Sequence, residues 1–314
     1  MMVAEKSYLR LLEEVSKAIV GKQSALETLL LAILCDGHVL VEDYPGLAKT
    51  LMAKSFASAL GLSFKRIQFT PDLLPADITG TFVLNRKTSE FELRKGAIFT
   101  HILLADEVNR APPRTQSALL EAMQERQVTI ENETLTLEKP FIVLATQNPI
   151  EYEGTYPLPE AQLDRFLIKL SIGYPLAEEE VEIMERRNQR KTDDVTINKV
   201  TQPEEVLQMQ NAVEEVHIDQ AVERYVVEIV RGTRTHQDVE VGASPRGSLA
   251  IMKLSKAKAW LNARGYVIPD DVKAIAVPAL SHRLILKPEQ WLRGGKTAAI
   301  VEEILRKVPV PKVD

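Results

Sequence analysis

The sequence predicts an α/β protein, a parallel sheet sandwiched between helices (αβα) and followed by an α-helical second domain, and three features predict it. Residues 38–51, HVLVEDYPGLAKTL, run from an apolar strand through a turn holding Pro45 and Gly46 into Lys49, Thr50 and a helix. Residues 101–107, HILLADE, are an apolar run ending in two carboxylates, as expected of a buried parallel strand that delivers acids to the carboxyl edge of its sheet. From Glu178 onward the periodicity is helical throughout.

The first stretch is a phosphate-binding loop in altered spelling. The full pattern has Gly six residues before the Lys and again just before it; Asp43 and Ala48 stand there instead. The backbone N–H groups of Gly46, Leu47, Ala48, Lys49 and Thr50 can still wrap an anion at the positive end of the following helix. Lys49 would reach the β- and γ-phosphates of a nucleotide, and the Thr50 hydroxyl would hold Mg²⁺. In the second stretch Asp106 would hold Mg²⁺ through water, and Glu107 would orient and polarise the attacking water. Alone, either stretch also reads as an ordinary structural element, a strand and helix with a surface Lys or a core strand with a polar end. Together, in this order and about 55 residues apart, they point to nucleotide hydrolysis.

A chain of 314 residues with 45% hydrophobic composition suits two domains, placed at 1–174 and 175–314. The longest apolar run, Leu29 to Cys35, is too short to span a bilayer, and MMVAEKSYLRLLEE lacks the apolar core of a signal peptide, so a cytoplasmic location is expected. Cys35 is the single cysteine, which excludes an internal disulfide, and the five His include no HExxH. Net charge is −5, with 39 basic against 44 acidic residues, which argues against a general nucleic-acid binder.

In chain order, Val3 to Ile19 has helical spacing, and Ser24 is placed to cap a second helix to about Cys35. Gly21 between them reads locally as a helix C-cap. Leu51 to Leu60 is a helix closed by Gly61, and Phe64 to Phe69 is a strand. Within residues 71–99, Thr81–Leu84 and Glu90–Leu93 form a hairpin. Thr115 to Glu125 is an amphipathic helix, and Gln127 to Leu137 is a second hairpin around Glu131-Asn132-Glu133. Phe141 to Thr146 is another buried strand, ending at Gln147-Asn148-Pro149, where an amide could hold the lytic water or the γ-phosphate, or form a plain Asn-Pro turn. Leu167 to Ile172 is the last strand of the sheet. Later, Asp219 caps Gln220 to Val230, Ser244 with Pro245 caps a helix to Arg264 stopped by Gly265, and Asp271–Leu280 and Thr297–Leu305 complete the helical part.

The stretches EDYPGLAKT, LLADEVNRAPPRTQSALLEAMQER, VLATQNPIEYEGTYPLPEAQLDRF and GASPRGSLAI resemble the MoxR family of AAA+ ATPases, over roughly residues 15–285. The resemblance implies a P-loop AAA+ αβα core with ATP and Mg²⁺ as ligands, a helix-2 insert at 71–99, a pre-sensor-1 insert at 127–137 and a helical lid. It implies that Ile19, Val20 and Gly21 bracket adenine, in place of the C-cap reading, and that Pro45 to Leu51 carry the phosphates. Asn148 matches sensor 1, Arg165 the arginine finger that serves a neighbouring subunit, and Arg246 the sensor 2 arginine. Asp43 departs from the usual Gly and is expected to set a like charge near the phosphates.

The resemblance further implies a ring, of six subunits, that remodels protein clients, with a von Willebrand A-domain partner on a separate chain because no DxSxS motif occurs here. The competing reading is a nucleic-acid motor, with a magnesium-chelatase-like subunit as a third. Glu131, Glu133 and Glu138 against Lys139 make the second hairpin unsuited to a phosphate backbone, although Arg86, Lys87, Arg94 and Lys95 leave the first one mixed.

Overall fold

The structure, a computed structural model, describes residues 2–149 and 154–312. Residues 150–153, inside the family-like stretch at 143–166, lie outside the described residues. The chain opens with α1 (Met2–Ser16) and α2 (Gln23–Leu34), then β1 (Val39–Glu42), α3 (Lys49–Leu60) and β2 (Phe64–Gln68). Next come α4 (Pro75–Thr79), the hairpin β3 (Gly80–Asn85) and β4 (Glu90–Lys95), β5 (Ile102–Asp106), α5 (Pro113–Glu125), and the hairpin β6 (Gln127–Ile130) and β7 (Glu133–Thr136). After β8 (Ile142–Gln147), α6 (Glu160–Leu163) and β9 (Ile168–Leu170) close the sheet region. The remainder is α7 (Ala177–Arg190), α8 (Pro203–Glu214), α9 (Gln220–Thr235), β10 (Val239–Val241), α10 (Pro245–Leu261), α11 (Pro269–Leu280), β11 (Ile285–Leu286), α12 (Pro288–Leu292) and α13 (Thr297–Lys307).

The central sheet has the order β2-β5-β8-β1-β9, and every pairing in it is parallel. Because side chains alternate across a strand, β5 sends Ile102 and Leu104 into one core and Leu103 and Ala105 into the other. The first core continues into the lid, joining α2 and α3 to α9, α10, α11 and α13 through residues such as Leu30, Phe56, Ile229, Leu254 and Ile304. The second lies under α5 and the hairpins, around Phe69, Phe141 and Phe166. All strands thus end on one edge, and the loops following them collect there.

Some local expectations yield to the fold. Helix α2 starts at Gln23 behind Lys22, which takes a left-handed φ of 59°, so Ser24 lies inside the helix and does not cap it. Helix α9 continues to Thr235, and α10 stops at Leu261 with Asn262 as its C-cap, ahead of Gly265. The second half is not wholly helical, because β10 and β11 pair antiparallel. Gly61, Asp219 and Ser244 cap as the sequence predicts.

The lid is fastened to the core at Arg283, whose side chain is 3% exposed. Its Nε donates to Asp164 at 2.8 Å, and its other nitrogens donate to the carbonyls of Phe166 at 2.7 Å and Leu167 at 3.2 Å. Ser244 of the lid also donates to Asp164, at 2.9 Å.

Candidate functional site

At the carboxyl edge of the sheet a cleft of about 440 Å³ is lined by the whole loop from Pro45 to Leu51, by Asp106 and Glu107, and by Thr146, Gln147 and Asn148. The loop's shape explains its spelling. Gly46 has φ +83° and Ala48 φ +54°, so left-handed residues alternate with ordinary ones and turn successive N–H groups inward. Ala48 occupies the left-handed position just before α3 that Gly fills in the full pattern, at a steric cost of about 1 kcal/mol. No side chain caps α3 and its first turn holds no acid, which leaves its leading N–H groups for an anion.

Lys49 donates to the carbonyls of Asp43 at 2.8 Å and Tyr44 at 3.0 Å. Burial pulls its ammonium below the ordinary lysine range, while the carboxylates of Asp43, Asp106 and Glu107 act the other way. The site therefore holds a cation that gains from a polyanion, as a nucleotide phosphate requires.

The two acids are held separately. Asp106 accepts from Thr146 at 2.6 Å and from Arg66 at 2.7 Å. Glu107 accepts from Gln68 at 2.7 Å and Arg110 at 2.9 Å, and its own N–H donates to the Thr146 hydroxyl at 2.8 Å. Glu107 has φ +56°, an uncommon conformation for a residue with a side chain, which turns the chain sharply at the strand's end. Asn148, at the end of β8, is 5% exposed. Thr50 and Asp106, on the two sides of the cleft, are a hydroxyl and a carboxylate of the kind that hold a hard, largely hydrated dication.

Arg66, Gln68 and Thr146 did not emerge from the sequence. Their signal is that Arg66 and Gln68 sit two apart on β2, hence on one face, and that Gln68 is in register with Asp106.

Asp43 has partners that the sequence did not indicate. Its carboxylate is turned away from the loop and accepts from Ser171 Oγ at 3.0 Å and from the N–H groups of Ile172 and Gly173. Those three donors pin it to the end of β9, while its negative charge is still felt at Lys49.

Ile19 and Val20 are buried, and Gly21 has φ +64°. This segment lies against the start of α7: a Cβ at Gly21 would sit 2.0 Å from a Glu179 oxygen, and Lys22 donates to the Tyr174 carbonyl at 2.6 Å. Tyr174 stacks on Tyr44 of the loop, with ring centroids 5.8 Å apart.

Arg165 and Arg246 are not in the cleft. Both line a second cavity, of about 300 Å³, with residues 35–38, which precede β1, and Leu167, which precedes β9. It lies at the amino edge of the sheet and shares no lining residue with the cleft. Arg165 donates to the Leu120 carbonyl at 2.7 Å, and among the described residues neither guanidinium forms an ion pair.

Comparison with known proteins matches residues 38–168 to the ATPase family associated with various cellular activities (AAA), and residues 231–304 to the AAA lid domain. The chain is 50% identical over 300 residues to the uncharacterized protein YeaC of Bacillus subtilis (strain 168), covering 95% of this chain and 93% of that protein. It is 41% identical over 314 residues to Chaperone MoxR1 of Mycobacterium tuberculosis, covering 97% of this chain and 82% of that one. A crystal structure from Cytophaga hutchinsonii, described as that of an inferred ATPase, superposes with a TM-score of 0.93 at 43% identity over 99% of this chain and 97% of its own.

Proposed function

Because the chain belongs to the MoxR family of AAA+ ATPases and is itself an ATPase, we propose that it is a ring-forming, Mg²⁺-dependent chaperone that spends ATP remodelling protein clients. The observation that carries the catalytic part is the convergence of Lys49, Thr50, Asp106, Glu107 and Asn148 on one cleft. Lys49 and the N–H groups from Gly46 to Thr50 bind the phosphates, and Ile19, Val20 and Gly21 bracket the base. Thr50 and Asp106 would hold Mg²⁺, which would supply neutralisation of the phosphate charge. Glu107 accepts the hydrogen bond of the attacking water and aims it, while Asn148 steadies the γ-phosphate. We divide the chain at 174/175 into nucleotide-binding core and lid.

Arg165 completes the site of a neighbouring subunit, where a guanidinium on the developing charge is worth about 10³ to 10⁵ in rate. Its position at the amino edge, opposite its own cleft, supports action in trans, and Arg246 beside it is assigned to the same interface. The ring is taken to hold six subunits, in the cytoplasm, and a separate von Willebrand A-domain chain is the expected adaptor. No helix among the described residues is long and apolar enough to cross a membrane.

A protein client is favoured over nucleic acid by the β6–β7 hairpin, whose Glu131 and Glu133 are exposed at its turn. Such a tip forfeits the phosphate attraction that supplies most nucleic-acid affinity. The test measures ATP turnover at low ionic strength with single-stranded DNA, duplex DNA, RNA and candidate protein clients. Stimulation by protein alone is expected; several-fold, salt-sensitive stimulation by a nucleic acid would overturn the reading.

A further inference from the structure

We propose that Asp43 and Tyr44 are positioning residues: they clasp the root of the lid to the phosphate loop, so that lid orientation and the grip of Lys49 on a nucleotide are set by one two-residue segment. The inference rests on the nucleotide-binding reading of the cleft and adds to it a function for the residue that departs most from the usual loop pattern.

Four attachments meet at residues 43–44. The Asp43 carboxylate, in a side chain only 5% exposed, accepts from Ser171, Ile172 and Gly173, the three residues that leave β9 for the lid. The Tyr44 ring stacks on Tyr174, the next residue along, which in turn receives Lys22 from beside the base-bracketing segment. The Asp43 N–H donates to Gln147 at 3.3 Å, next to Asn148. The carbonyls of both residues hold the Lys49 ammonium.

A buried carboxylate with three donors is costly to detach, because each donor would be left unpaired. Residues 171–174 therefore cannot swing without either breaking that cluster or carrying the 43–44 peptide with them. Gly173 is where a swing is absorbed: its φ is +68°, and a Cβ there would touch nothing within 4 Å. Whatever pulls Lys49 off the two carbonyls, a phosphate above all, also relaxes the peptide that anchors the lid root. Coupling of this kind is reciprocal, so the lid in turn biases nucleotide affinity.

The test uses the full chain with donor and acceptor dyes on Lys54→Cys and Glu185→Cys, both exposed, since the native Cys35 is buried and will not label. Binding of a fluorescent ATP analogue and the nucleotide-induced change in energy transfer are read for Asp43→Ala, Asp43→Asn, Tyr44→Ala and Lys49→Ala. Asp43→Ala is expected to weaken binding roughly 10-fold and abolish most of the energy-transfer change, by analogy with typical coupling strengths. Asp43→Asn, which keeps an acceptor, should recover part of both. Tyr44→Ala removes an exposed ring stacked on Tyr174 and should lower the energy-transfer change together with a smaller loss of affinity, as reciprocity requires, which decides the matter should Asp43→Ala not fold; an unchanged energy-transfer response would overturn the clasp. If Asp43 acted only through its charge, Ala and Asn would tighten binding equally and leave the energy-transfer change intact, and the clasp would be wrong. Undiminished binding by Lys49→Ala would instead overturn the nucleotide-site reading itself.

Discussion

Replacing Arg283 by Ala should loosen the lid and, through Asp164, disturb Arg165 beside it. The arginine is nearly inaccessible, and Asp164 is about one-fifth exposed. Removing it strands a carboxylate that keeps only the Ser244 hydroxyl among its lid partners, together with the carbonyls of Phe166 and Leu167. Breaking a buried pair by deleting one partner costs about 3 to 5 kcal/mol, and hydrogen bonds to a charged group about 1.5 to 3 each. These do not add, and the partly wetted Asp164 favours the lower end, so about 3 kcal/mol is expected. Against a total stability of about 5 to 15 kcal/mol the variant should still fold at room temperature. Urea denaturation gives the loss from the shift in midpoint at constant slope. Arg283→Lys keeps the charge but not the planar fork, and should fall between. A loss under about 1 kcal/mol for Arg283→Ala would refute the assignment of Arg283 as the main fastening between core and lid.

Glu107→Gln should keep ATP binding and abolish turnover, since Lys49, Thr50 and Asp106 are untouched while the amide cannot polarise water; near-normal turnover in a phosphate-release assay removes Glu107 from the mechanism. Arg165→Ala and Glu107→Gln proteins, each inactive, should regain partial activity when mixed, and no recovery at any ratio despite proven co-assembly would count against action in trans. Stability should fall on acidification. Buried His38 accepts from the Val143 N–H through Nδ1 and meets the Met123 carbonyl through Nε2, an arrangement that suits the neutral ring, and burial holds its pKa at about 3. Burial likewise keeps His282 well below the ordinary range. Both folded values lie below the unfolded one, so the unfolded state binds more protons below about pH 6.5; stability is complete above it and falls by about 1.4 kcal/mol per pH unit for each ring as pH drops. Flat urea midpoints between about pH 7.5 and 5.5 would refute this.

The features legible in sequence are those fixed by local physics. The buried strands announce themselves as apolar runs, and Asp106 with Glu107 ends one of them where a parallel sheet exposes its carboxyl edge. Gly61, Asp219 and Ser244 are caps by their own chemistry. What escaped depends on partners distant in sequence. The pairing of β10 with β11 joins a three-residue strand to a two-residue one, too short for a period to register. The direction of the Asp43 carboxylate is set by donors 128 to 130 residues away. Gln68 and Arg66 look like ordinary outward polar residues until β5 lies alongside. Arg246 is attached to a correctly capped helix, yet its place beside Arg165 depends on how the whole lid sits, which no local pattern encodes.

The parallel sheet has one further consequence. Its strands all run one way, so the protein has a head, where the acids and the phosphate loop gather, and a tail, where Arg165 and Arg246 line a cavity without an ion pair among the described residues. Under the proposed assignment of Arg165 to a neighbour's site, a partner would offer its tail to this head. Contacts of that kind are heterologous, and they end only when the rotation from one subunit to the next closes on itself. On that proposal, until it closes each added subunit would complete one site and bring another that is incomplete.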